Sequence, residues 1–164
     1  MKTLCAALLA VALGAPVATA ATTSDDLMAA PREFMAALGR NDMDAAAKTL
    51  AASPSFVDEL PPYAWSGPGA FRQWLTDYAA WVKAGHMSAN KVKLGDAIVA
   101  TSEGDRGYVV ATAGETYKQD GKRVAETARM VFALHREDGA WKIVSWAWAG
   151  REPHVQGAGP AKAP

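Results

Sequence analysis

The chain has 164 residues, with 17 Lys plus Arg balanced by 17 Asp plus Glu and no basic block. Binding nucleic acid calls for a positive surface that neutralises phosphates, so this balance disfavours nucleic acid as a partner. Beyond the first twenty residues, no apolar stretch is long enough to span a bilayer as a helix.

Met1 to Ala20 has the layout of a secretory signal. Lys2 supplies the positive end, Leu4 to Leu13 an apolar run too short to span a bilayer, and Ala18-Thr19-Ala20 the small-x-small cleavage pattern. The alternative, a retained membrane anchor, is opposed by the shortness of the run and by Gly14 and Pro16. The expected mature chain begins at Ala21, is periplasmic or secreted, and has no membrane association after cleavage. Cys5 is the only cysteine and leaves with the signal, so disulfides, thiolate metal sites and cysteine nucleophiles are excluded from the mature protein. Roughly 140 residues remain, enough for one packed core and too few for two comfortable ones.

Thr22 to Asp26 offers helix caps and early acids. Leu27, Met28, Phe34, Met35 and Leu38 follow as an apolar helical stripe, with Pro31 inside it as a kink or a start. Asp42 caps a second helix expected over Met43 to Ala52, ended by Ser53-Pro54. A short strand is expected from Ser55 to Leu60, then a stiff loop through Pro61-Pro62. A third helix carries Phe71, Trp74, Leu75, Tyr78 and Val82 and closes at Gly85. Periodicity then changes to two. Strands are expected over Lys91 to Thr101, Arg106 to Gln119 (with Gly114 as a bend or bulge), Lys122 to Arg136 and Ala140 to Ala149. Asp120-Gly121 is a tight hairpin signal. The Gly/Ala/Pro-rich residues 151–164 are expected to be a disordered tail.

Helices segregated ahead of a strand meander predict an α+β fold: three N-terminal helices on a curved antiparallel sheet, forming a cone-shaped barrel, over residues 21–150. The residues carrying a family likeness are Asn41-Asp42-Met43-Asp44 at the second helix, Asp58, Ser66-Gly67 before the third helix, and Arg136-Glu137-Asp138-Gly139-Ala140-Trp141-Lys142-Ile143 near the end. With this element order, the chain resembles the nuclear transport factor 2-like superfamily, and within it the ketosteroid-isomerase-like and polyketide-cyclase-like members. The resemblance implies isomerase, cyclase or hydratase chemistry with Asp58 as general base, because Asp58 keeps that family's spacing to Asp44 and to Ser66. It also implies two oxyanion donors, and both are replaced. The first falls on Phe34, the second on Phe132, Ala133 or Leu134. Such donors are usually the largest catalytic contribution, ~2.7–4 kcal/mol each. Tyr63, Tyr78, Arg129 or Trp148 would have to replace them.

Each candidate also has a plainer role. Asp58 caps its loop beside Glu59 if it is not a base. Trp74 lies on the apolar stripe of its helix and suits the core. Trp146 and Trp148 share one sheet face and either line a pocket or fill it. Glu126 and Arg129, three apart on a strand, face opposite sides and are expected to find cross-strand charge partners. His86, His135 and His154 are scattered and Gly67-Pro68-Gly69 is too short to cradle phosphate, so no metal or cofactor is expected. The resulting expectation is an exported domain with a hydrophobic pocket for a small apolar or aromatic ligand, walled by Tyr63, Trp65, Trp74, Tyr78, Trp146 and Trp148. The alternatives are an enzyme built on Asp58 and a homodimer formed through the outer sheet face.

Overall fold

The computed structural model describes residues 22–156; the predicted signal segment lies outside them. Helix α1 (Ser24–Gly39) opens with a capping box in which the Thr23 hydroxyl accepts from the Asp26 N–H and the Asp26 carboxylate accepts from the Thr23 N–H. Pro31 sits in the middle of α1 without ending it, its ring buried. Leu27, Met28, Phe34 and Ala37 form the buried stripe. Helix α2 (Met43–Lys48) is capped by Asp42, whose carboxylate accepts from the Ala45 N–H.

The predicted second helix is four residues too long. Thr49 caps it and β1 (Leu50–Val57) begins at once. Long-range pairing overrides local helix preference here: Leu50 stands opposite Ile143, and the Ile143 N–H donates to the Thr49 carbonyl at 2.9 Å. Pro54 is tolerated because the β1 ladder shifts register between Leu50 and Ser55. The expected loop also contains a short strand, β2 (Ala64–Ser66), paired antiparallel with β1.

Helix α3 (Ala70–Ala84) is followed by β3 (Met87–Glu103), β4 (Arg106–Gln119), β5 (Lys122–Glu137) and β6 (Ala140–Gly150). The Asp120-Gly121 and Asp138-Gly139 turns have positive φ at both residues, 49° and 77° in the first and 50° and 81° in the second. That is the backbone of a type I′ hairpin, with Gly where a side chain is least tolerated. Strand order is β2-β1-β6-β5-β4-β3. A last short strand, β7 (His154–Val155), pairs with β5, so part of the expected disordered tail is ordered.

Two expectations about the sheet need correction. It is mixed, because β1 and β6 run parallel, and it is curved but not a closed barrel, because β2 and β3 end the strand order without pairing. Gly114 is not a bulge either. β4 and β5 stay in register through it, and its missing side chain serves a close approach, since a Cβ there would meet the Glu126 carbonyl at 3.0 Å. The β3–β4 pairing shifts register at three places along β3, and the β5–β6 pairing shifts once, at Val144. The first shift on β3 places Ala89 and Asn90 together opposite Tyr117, with Ala89 at φ 54°. α1 packs on β3, β4 and β6 while α3 packs on β1, β2 and β3, so both helices cover the same concave sheet face.

Candidate functional site

Between the helices and the concave face lies a cavity of about 800 Å³. Aromatic rings make much of its wall. Phe56 stacks on Trp146 with centroids 4.9 Å apart, Trp74 meets Trp146 edge-on at 5.3 Å, and Tyr78 stacks on Trp74 at 5.4 Å. Trp74 and Trp146 are buried, while Tyr78 and Trp148 are half-buried and line the space. Trp146 and Trp148 thus line the cavity rather than close it.

The carboxylates are arranged around this wall. Asp58 and Glu59 enter at the end of β1, on a turn held by Leu60, which is buried. The Tyr63 N–H donates to the Leu60 carbonyl at 2.8 Å and the Asp58 N–H to the Tyr63 carbonyl at 3.1 Å. Asp58 both caps and faces the cavity. Its Oδ1 accepts from the Glu59 N–H at 2.8 Å, and its Oδ2 accepts from the Trp74 indole N–H at 2.9 Å. Burial pushes its pKa up, against the two hydrogen bonds that favour the anion.

Glu115 on β4 and Glu126 on β5 stand directly opposite each other, and only 5% and 3% of their surfaces are exposed. Glu115 accepts from the Tyr78 hydroxyl at 3.2 Å and from Asn90 Nδ2 at 3.1 Å. The β3 bulge turns Asn90 inward for this contact. Glu126 accepts from the Trp148 indole N–H at 3.1 Å and from the Glu59 carboxyl. Burial, then the nearby Glu126 charge, raises the Glu59 pKa to about 7. Burial also raises the pKa of Glu115, Glu126 and the Tyr78 phenol. Gly150 lies against this group. A Cβ there would collide with the Glu126 carboxylate and crowd Glu59 and the Trp148 N–H.

Of the residues singled out in the sequence, Asp58, Trp74, Tyr78, Trp146 and Trp148 meet at the cavity. Tyr63 does not. It is 59% exposed, with φ 73° at the end of the turn, and faces away. Trp65 is buried beneath α3 instead, donating to Asp77 Oδ2 at 2.8 Å. Arg129 lies exposed on the outer sheet face, opposite in parity to Glu126. The expected charge partner of Glu126 across the strand is another carboxylate. Sequence reasoning did not single out Glu59, Asn90 or Glu115 for this wall. Among the described residues, no group of three or more His, Cys, Asp or Glu is placed to hold a metal ion.

Trp74→Phe would keep the ring stacking and remove the one side-chain donor that Asp58 has. We expect a loss of about 1–2 kcal/mol in denaturant unfolding and a further rise in the Asp58 pKa. Carbon-detected titration of the Asp carboxyls reads the second effect, and an unmoved Asp58 titration would refute the assigned hydrogen bond.

The model of the SnoaL-like domain matches residues 27–148. No match was found among curated proteins. Solved structures share the fold at low identity. A hexachlorocyclohexane dehydrochlorinase (LinA) Type2 aligns with TM-score 0.67 at 12% identity, covering 85% of this chain and 92% of that one. A ketosteroid isomerase-like protein from Erwinia carotovora atroseptica aligns with TM-score 0.61 at 15% identity, covering 79% and 97%. An NTF2-like protein with a cystatin-like fold from Novosphingobium aromaticivorans aligns with TM-score 0.61 at 12% identity, covering 84% of each chain. The chain belongs to the SnoaL-like domain family, within the nuclear transport factor 2-like superfamily.

Proposed function

We propose that this is an exported protein that takes a small aromatic molecule into the cavity. The supporting observation is the open space of about 800 Å³ walled by Trp74, Tyr78, Trp81, Trp146 and Trp148. That volume falls within the usual range for small-molecule sites, and flat apolar rings recognise flat apolar ligands with little lost rotamer freedom. Naphthalene is a suitable probe. We expect one molecule per chain, with a change in tryptophan fluorescence that Trp148→Ala weakens several-fold. Saturation without any tryptophan response would place the ligand elsewhere and sink the proposal.

A second reading is proton transfer with Asp58 as base, favoured by its position at the cavity and its raised pKa. It ranks lower because the replacement donors are committed or absent. Tyr78 donates to Glu115 and Trp148 to Glu126, while Tyr63 and Arg129 face outward. Deuterium uptake beside the carbonyl of 2-tetralone in heavy water tests it. Exchange should be catalysed by the native protein and lost in Asp58→Asn. Equal exchange in both proteins removes Asp58 from the chemistry.

A further inference from the structure

An unusual arrangement of charge surrounds the cavity. Asp58, Glu59 and Glu115 line the space, and Glu126 stands behind them, bonded to Glu59 and Trp148. Against these four acids, Lys91 is the one cation among the described lining residues, and it is exposed at β3. Like charges directly opposite on neighbouring strands destabilise a sheet, and buried carboxylates are ordinarily paired with Arg or Lys. Here the side chains that bond Asp58, Glu115 and Glu126 are Trp74, Tyr78, Asn90, Trp148 and Glu59, none of them cationic.

Among the described residues, no cationic side chain bonds these carboxylates. Asp58, Glu115 and Glu126 are each held by an aromatic or amide donor, and Glu59 is bonded to Glu126, so the four acids form one group on the cavity's side of the sheet. A cavity lined by acids with no buried cation beside them suits a positive charge brought in on a body that fills the space. The rings of Tyr78, Trp81 and Trp148 also line the space, and a cation near a desolvated aromatic face is stabilised by the ring quadrupole. Given that the cavity binds an aromatic molecule, as proposed for it, we infer that this ligand is an organic cation. It would be a protonated amine or quaternary ammonium group on an aromatic body, its charge among Asp58, Glu59 and Glu115 and its rings against the tryptophans.

Calorimetric titration at neutral pH with three molecules of nearly equal shape tests this. The probes are 1-naphthylmethylammonium, neutral 1-naphthalenemethanol and anionic 1-naphthylacetate. The ammonium compound should bind at least about tenfold tighter than the alcohol, and the acid weakest of the three. Glu115→Gln with Glu126→Gln should reduce the ammonium preference to within about twofold of the alcohol. If the alcohol or the acid binds as tightly as the ammonium compound, the charge class is wrong while the aromatic pocket stands. If none of the three binds, the pocket reading falls with it.

Discussion

Phe56→Ala should cost about 3–5 kcal/mol, the usual range for removing a buried Phe, against a typical domain stability of about 5–15 kcal/mol. Phe56 is 1% exposed and stacks on Trp146 at 4.9 Å. It also meets Phe71 and Trp74 edge-on at 6.5 and 6.4 Å. Deleting its ring removes the transfer energy of the side chain and leaves a void beneath three aromatic neighbours that cannot all collapse into it. Urea unfolding at unchanged slope reads the loss. Tryptophan fluorescence should shift as well, because Trp74 and Trp146 both lose a neighbour. A cost below about 1 kcal/mol would mean that the stack adapts and is not the structural floor of the cavity.

Raising the pH from about 4.5 to about 7 should lower stability, by roughly 2 kcal/mol in all. The folded protein keeps the Glu59 proton up to about pH 7, whereas an ordinary Glu releases it near 4.5. Within that window the folded state binds more protons than the unfolded one, so unfolding becomes easier as pH rises, and the effect levels off above the folded pKa. Glu59 alone would give about 3.4 kcal/mol at 1.36 kcal/mol per pH unit, but its outer side is exposed, so solvent screening reduces this to roughly half. Asp58, Glu115 and Glu126 shift in the same direction and add to the slope. Glu59→Gln should flatten much of the profile. Thermal stability that instead rises across this range would contradict the raised Glu59 pKa.

Much of the fold could be read locally. The capping residues Thr23 and Asp42, the two Asp-Gly hairpins and the alternation along β5 all act within a few positions. What escaped was set at long range: β2, the parallel β1–β6 pair and β7 exist because a distant strand accepts them. The site was half legible for the same reason. Asp58 and the tryptophans declare themselves by spacing and type. Glu126 has the same parity as Met130, Phe132 and Leu134, which marks it as inward-facing. Glu115 lies five residues before Asp120 and Glu126 five after Gly121, so a two-residue turn sets them opposite each other. Their chemistry was hidden because a buried acid normally implies a nearby base, and here the sequence holds none at the matching positions. Asn90 depends on a bulge that its own residues do not announce.

The parallel pairing of β1 with β6 also sets when the site can exist. Phe56 and Trp146 lie side by side in the sheet but 90 positions apart in the chain. During synthesis the helices and the first half of the site emerge early, while the strand that completes the aromatic floor comes among the last. Closing so long a loop carries an entropic cost that local contacts do not repay, so such pairings form slowly. Until then, β1 offers one unpaired strand edge and an uncovered Phe56. The cavity is thus a late product of folding, and chains truncated before β6 would retain its acids without ever enclosing a space.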